Sequence, residues 1–271
     1  MNKPLVSIIT PVLNGADYIE ESLLSVLNQS YKNTEQIFID GGSTDGTLEI
    51  LKKYKKKYPK RIRFISEPDD LAEEAWNKGW KMSRGDILGW LGADDIFVPD
   101  AIMTVVKFFN ENKEAKFVFG DCLMIDKDGK VFAKYDTQDY DIKKLINGIN
   151  FIPTTSTFYK REVVDKIGPL DSSMHVGDLD YWIRVGKVYK VYRMEKILSK
   201  FRVHNRSTGG SRKAMEMYSR EGFVLNRRYG GSIFSVIGIR YILVCKLKMS
   251  WALPVIIPVF KFLKRKFLIS K

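Results

Sequence analysis

The sequence predicts an α/β fold with a mostly parallel sheet, helices on both faces, and a basic helical extension at the C-terminal end. Three observations predict it. Over the first 120 residues, apolar runs of strand length alternate with segments of helical period, joined by short polar links, as in strand–helix–strand sheets. Of 271 residues 45% are hydrophobic and 28% charged, enough apolar surface to offset the ordering of a folded chain. The charge is also divided. The first 180 residues carry 24 basic against 29 acidic side chains, whereas the last 91 carry 21 basic against three acidic, Glu195, Glu216 and Glu221.

The elements follow in order. Residues 5–10 (LVSIIT), between Pro4 and Pro11, read as a buried first strand and not as a signal peptide, since no small-residue cleavage site follows. Residues 17–28 place Ile19, Leu23, Val26 and Leu27 at helical spacing, with Asp17, Glu20 and Glu21 in the first turn, where carboxylates suit the helix dipole. Residues 36–39 form a second strand ending at Asp40. The turn-rich DGGSTDGT of 40–47 leads into a surface helix, LEILKKYKKKY. A third strand at 62–65, a helix at 71–82 and a fourth strand at 86–91 come next, the last ending at Gly92-Ala93-Asp94-Asp95. Pro99 opens another helix to about Asn110, residues 116–119 begin a further strand, and 211–229 read as an amphipathic helix.

Several classes are excluded. Two cysteines, Cys122 and Cys245, and two histidines, His175 and His204, allow neither a disulfide framework, nor a cysteine-rich zinc site, nor a multi-histidine metal centre. The longest uncharged apolar run, 249–260, has twelve residues, short of the ~20 that cross a bilayer. Neither GxGxxG nor GxxxxGK[ST] is present.

In open parallel sheets, ligands bind at the carboxyl ends of the strands. Those ends carry Pro11, Asp40, Glu67-Pro68-Asp69 and Asp94-Asp95, so the acidic edge is the candidate site. Adjacent carboxylates at a buried strand end repel and need a counter-charge, which a hard divalent cation shared with substrate phosphates supplies. Capping the following helix is the equal alternative for Asp94-Asp95 on the residues alone. In the 40–47 turn, glycines let backbone amides approach a ligand, and Asp40 can accept hydrogen bonds from a base or ribose.

Taken together, PVLNG, the 40–47 turn, Ser66-Glu67-Pro68-Asp69, Asn77-Lys78-Gly79, Ser83-Arg84-Gly85-Asp86 and Gly89-Trp90-Leu91-Gly92-Ala93-Asp94-Asp95 resemble the family 2 glycosyltransferases, from about Leu5 to Ser207. The resemblance implies a GT-A fold with a Rossmann-like sheet. It also implies a nucleotide-sugar half over about 1–120, an acceptor half over 121–210, and a basic tail over 211–271. The implied activity is inverting transfer of a sugar from a nucleotide-diphosphate donor. It further implies a divalent ion, Mn²⁺ or Mg²⁺, held by Asp95, with Asp94 reaching the donor ribose. Pro11 main chain and Asp40 would border the nucleoside, and Asp69 the donor loop. Many relatives have a second Asp, pairing with uracil, where this chain has Gly41; the base is therefore left open. His175-Val176-Gly177-Asp178-Leu179-Asp180 resembles the acceptor-side ED motif, which makes Asp178 the base and Asp180 its support, with Gly177 replacing the usual acidic or small polar residue. Phe201-Arg202-Val203-His204-Asn205-Arg206-Ser207 resembles RxHxxS, implying His204 at the metal or diphosphate and Arg202 and Arg206 as phosphate contacts.

The tail combines apolar stretches over 233–247 and 251–267, broken by Pro254 and Pro258, with Arg240, Lys246, Lys248, Lys261, Lys264, Arg265 and Lys266. This composition suits the surface of an anionic membrane, where each basic residue adds about 1 kcal/mol. This reading expects a peripheral position on the cytoplasmic face of the cell membrane, with a glycan or lipid-linked glycan acceptor from polysaccharide or lipopolysaccharide assembly and no nucleic acid; a terminal hairpin packed on the core or in a dimer is the alternative for the tail. The rival classes are a nucleotidyltransferase, which would show a GxGTR-like loop where PVLNGADY stands, and a non-catalytic membrane-surface module.

Overall fold

The computed structural model describes residues 3–69, 71–205 and 212–248. Arg206, Ser207 and the apolar stretch 251–267 with its prolines and lysines lie outside the described residues. The chain divides into two compact units: Met1–Tyr140 with Phe151–His204, and Asp141–Asn150 with Asn205–Lys271.

Along the chain, β1 (Val6–Val12), α1 (Ile19–Leu27), β2 (Thr34–Asp40), α2 (Thr47–Lys57), β3 (Ile62–Ser66), α3 (Ala72–Met82) and β4 (Ile87–Trp90) alternate as expected. There follow β5 (Ile96–Phe97), α4 (Ala101–Glu111), β6 (Phe117–Ile125), β7 (Val131–Lys134) and α5 (Ile142–Ile146). Next come β8 (Thr157–Lys160), α6 (Arg161–Ile167), α7 (Gly177–Val188), β9 (Val191–Arg202), α8 (Arg212–Arg228) and α9 (Val236–Tyr241).

In the first unit the described strands form one sheet of order β3-β2-β1-β4-β8-β6-β9-β5, with β7 paired to β6. The strand β2 shows why helices cover both faces. All seven of its residues are buried. Successive side chains point to opposite faces: Phe38 joins Leu23, Leu27, Leu51 and Tyr54 beneath α1 and α2, while Ile37 and Ile39 meet Ala75 of α3.

The sheet holds the parallel block β3-β2-β1-β4 that the sequence leads one to expect, and antiparallel strands join it beyond β4. The pairs β3/β2, β2/β1, β1/β4 and β6/β9 are parallel, whereas β4/β8, β8/β6, β6/β7 and β9/β5 are antiparallel. The physical cause is the path into β8. It leaves a single 3-10 turn, Thr154–Ser156, and enters the sheet against the direction of β4, with Gly89 facing Phe158. A parallel entry would need a crossover segment there. This reversal positions the site: the start of β8 lies beside the end of β4. The ends of β6 and β9 return to the same edge, with Ile125 facing Arg202.

The second unit is helical among its described residues, with the basic α8 where 211–229 predicts it. Asn226 Nδ2 donates to the Ile146 carbonyl at 2.9 Å, joining α8 to α5. Phe234, 70% exposed, and Ile233 stand at its surface.

Candidate active site

The order 3-2-1-4 puts β2 and β4 on opposite sides of β1, the kind of switch point at whose carboxyl edge open α/β sheets bind ligands. Asp94 and Asp95 follow β4 there. Asp95 is 2% exposed; its Oδ1 accepts from Arg202 N at 2.8 Å. His204 Nε2 lies 3.0 Å from Asp94 Oδ2. Between the two acids, Gly92 has no side chain: a Cβ there would stand 2.5 Å from Asp95 Oδ2 and 2.8 Å from Asp94 Oδ1. One oxygen from each carboxylate therefore converges on a space that only glycine leaves open. Burial, then the neighbouring Asp94 charge, push the Asp95 carboxyl well above the usual range, against the opposing Arg202 charge. The Arg202 charge does not offset this rise, and a bound cation would add to that charge.

No three of His, Cys, Asp and Glu among the described residues close on one point as a complete metal cage. Asp94 Oδ1 and Asp95 Oδ2 are hard oxygen donors of the type that Mg²⁺ or Mn²⁺ takes together with phosphate oxygens and water.

Arg202 departs from expectation. Its side chain is buried, 2% exposed, and committed to the protein. Nε donates to Asp94 O, Nη1 to the carbonyls of Asp126 and Lys127, and Nη2 to the Glu21 carboxylate, while Tyr18 stacks on the guanidinium at 4.7 Å. A fork with its donors occupied inside the protein braces the acidic pair instead of reaching a diphosphate. Sequence reading missed Glu21 and Tyr18, whose link to Arg202 spans more than 180 positions and leaves no local signal.

Across the edge, Val12 of β1 pairs with Asp40 and Asp40 with Ser66. Asp40 is fully buried, and its Oδ2 accepts from Ser66 Oγ, Gly42 N and Ser43 N at 2.6, 3.1 and 3.0 Å. Its Oδ1 is buried with no hydrogen-bond donor. Such an oxygen costs stability unless something donates to it, which makes it a candidate for a ligand N–H or hydroxyl. Pro11 sits one position before, level with Ile39. The loops after β1 and β2 are laced together: Asn14 N to Ser43 Oγ, Gly15 N to Thr47 Oγ1, Ala16 N to Asp45 Oδ2 and Thr44 N to Asn14 Oδ1. At the tip of β3, Asp69 pairs with Lys78, which also holds Glu67 at 2.8 Å.

Asp178 occupies the first turn of α7. Thr154 Oγ1 donates to its Oδ2 at 3.0 Å and Leu179 N to its Oδ1 at 2.6 Å, while burial raises its carboxyl above the ordinary range. Thr154 opens the turn before β8; the next two residues bond Ser199 of β9, at 2.8 Å from Thr155 and 2.6 Å from Ser156. A row of hydroxyls thus runs from the anchor of Asp178 to the strand that ends at Arg202. Asp180 instead holds Arg184 Nε at 2.7 Å, and Arg184 ties down the Ile167 and Pro169 carbonyls. The neighbourhood includes one further acid that motif reading did not select, Glu73 of α3.

Comparison with known proteins shows the family and the fold. Residues 7–168 match the model of glycosyl transferase family 2. An uncharacterized glycosyltransferase of Methanocaldococcus jannaschii is 30% identical over 227 residues, 81% of this chain and 78% of that protein. The putative teichuronic acid biosynthesis glycosyltransferase TuaG of Bacillus subtilis is 31% identical over 218 residues, 78% of this chain and 83% of that one. Other relatives are longer: the chain spans 31% of a Rickettsia bellii glycosyltransferase and 39% of the S. aureus TarS crystal chain. The mannosyltransferase PcManGT of Pyrobaculum calidifontis, solved with GDP-Man and Mn²⁺, superposes with a TM-score of 0.66 at 19% identity, over 94% of this chain and 73% of that one. S. aureus TarS 1-349 with UDP-GlcNAc gives 0.61 at 16% identity, over 80% and 66%. The fold is that of the GT-A glycosyltransferases, and the chain belongs to glycosyltransferase family 2.

Proposed function

We propose that this enzyme transfers a sugar, with inversion at the anomeric carbon, from a nucleotide-diphosphate donor to a hydroxyl of a glycan or lipid-linked glycan. The observation that carries the reading is the convergence of Asp94 Oδ1 and Asp95 Oδ2 beside Gly92, with His204 against Asp94, on the same sheet edge as Asp178. The solved neighbours with GDP-Man and Mn²⁺ and with UDP-GlcNAc support a donor of this class.

Asp94, Asp95 and His204 would hold Mn²⁺ or Mg²⁺, which when bound supplies positive charge to the departing diphosphate. Asp40 offers its unpaired oxygen to the nucleoside, and the laced loops after β1 and β2 shape that pocket. Arg202 keeps the acidic pair in place. Asp178 accepts the acceptor's proton as the hydroxyl oxygen bonds to the anomeric carbon and the bond to the diphosphate breaks. A carboxyl raised by burial is the stronger proton acceptor once ionised, and the Thr154 bond fixes its orientation.

The exposed Phe234 and Ile233 beside the basic α8, with no helix among the described residues long and apolar enough to span, support peripheral attachment to an anionic membrane. The TuaG relative supports a cell-surface polysaccharide acceptor.

The decisive experiment is a thermal-shift panel of nucleotide sugars with and without Mn²⁺, followed by turnover of Asp178→Asn with the donor that binds. Stabilisation only with metal present, and loss of turnover by ~10²–10⁴-fold with donor affinity kept, is expected. Turnover unchanged in Asp178→Asn would remove the base assignment.

A further inference from the structure

Glu73 stands at the second position of α3 and is 7% exposed, an unusual burial for a glutamate. It reaches the start of α7. A Cβ at Gly177 would lie 2.6 Å from Glu73 Cγ and 3.4 Å from its Oε1, with the Asp171 carbonyl 3.0 Å away on the other flank. Gly177 is therefore small because the Glu73 side chain fills the space beside it. The backbone N–H groups of Gly177 and of Glu73 itself favour the ionised carboxyl, as expected in the first turns of two helices of eleven and twelve residues. The residue that follows Gly177 is Asp178.

We propose that Glu73 is a positioning residue for the transfer step: wedged against the first residue of α7, its carboxyl sets the orientation and charge surroundings of Asp178. The proposal rests on Asp178 being the base. Burial first, then the Asp178 charge, push Glu73 up to about 7, while its own N–H, the Gly177 N–H and a charged His175 oppose the rise. Asp178 and His175 are the charged groups that face it, both from the α7 side. Glu73 therefore changes charge around neutrality, next to Asp178. Once Glu73 is ionised, its negative charge makes Asp178 hold a proton more tightly, so proton uptake from the acceptor becomes more favourable. The transfer itself is unchanged: the acceptor's proton passes to Asp178, and the bonding pair leaves with the nucleoside diphosphate.

The test is a ¹³C carboxyl NMR titration of the full chain, which needs no donor. In the native protein the Asp178 resonance should show a second inflection near pH 7, and this should vanish in Glu73→Gln, which keeps the shape and the N–H acceptor. An Asp178 titration identical in the two proteins overturns the proposal. With the donor that the native enzyme consumes, Glu73→Gln should lose several-fold in kcat at pH 8 and little at pH 6, with KM within about twofold. Equal losses at both pH values would mark a merely structural role. Gly177→Ala, which displaces the acid without removing it, should reproduce the loss; normal kcat at pH 8 in a folded Gly177→Ala would count against the idea. Failure of the base reading is separate, because it appears in Asp178→Asn alone.

Discussion

Gly92→Ala adds one methyl group where the two acids converge. Gly92 is not among the positive-φ residues, so alanine meets no backbone strain there and the effect is steric. The new carbon would sit 2.5 Å from Asp95 Oδ2, 2.8 Å from Asp94 Oδ1 and 3.1 Å from Asp95 Cγ. Reaching ordinary contact requires displacements of roughly half an ångström or more. Neither acid retreats freely: Asp95 Oδ1 is tied to Arg202 N at 2.8 Å, and Asp94 Oδ2 faces His204 at 3.0 Å. The shift therefore falls on the oxygens that would face the ion. Sites of this kind tolerate about 0.5 Å, and a misplacement of ~1 Å costs on the order of 100-fold. We expect metal-dependent turnover to fall about 100-fold, equivalent to ~2.7 kcal/mol in the barrier. Overpacking should remove about 1–3 kcal/mol of stability, leaving a folded protein. Turnover and Mn²⁺ half-saturation, measured by calorimetric titration with GDP or UDP present, provide the check. A Gly92→Ala enzyme with native half-saturation and turnover within threefold would show that these carboxylates do not meet the metal.

Arg202→Lys keeps the charge but loses the fork that serves three carbonyls and Glu21, and should cost about 2–4 kcal/mol in urea unfolding; an unchanged midpoint would argue against the bracing role. Thr154→Val removes a donor that favours ionised Asp178, so its carboxyl should rise further and the acid limb of kcat move to higher pH; a fixed limb would contradict the pairing. Because the folded Glu73 value of about 7 exceeds its ordinary 4.5, the native state binds the extra proton between them. Stability should fall as pH rises through that window, by on the order of 3 kcal/mol in full, and Glu73→Gln should flatten the curve in chemical denaturation. Phe234→Ser should weaken binding to phosphatidylglycerol vesicles about 10–100-fold with turnover on a soluble acceptor unchanged, as loss of one buried aromatic group predicts; equal binding would free the loop from that role.

The local elements were readable because their signals are local. The apolar run of β2, the helical spacing of Ile19, Leu23, Val26 and Leu27, and the acidic ends of β2 to β4 arise within a dozen residues. The direction of β8 was not readable, since four residues, TFYK, three of them buried, fit a parallel or an antiparallel neighbour equally well. Asp94, Asp95, His204 and Asp178 stood out by motif, whereas Glu73 looked like an ordinary first-turn glutamate, where carboxylates are common. Arg202 was legible as a site residue but not as a buried one, because charge alone does not say which partners it finds.

By itself, then, the sequence determined the alternation of strands and helices, the acidic sheet edge and the basic C-terminal portion, all set by periodicity and composition over short spans. Tertiary structure alone decided that β8 runs against β4 and brings Thr154 to Asp178, that Arg202 turns inward to Glu21, and that Glu73 lies against Gly177. These partners stand 24, 181 and about 100 positions apart. Contacts at such separations depend on strand register and helix packing across the whole core, and no window of neighbouring residues encodes them.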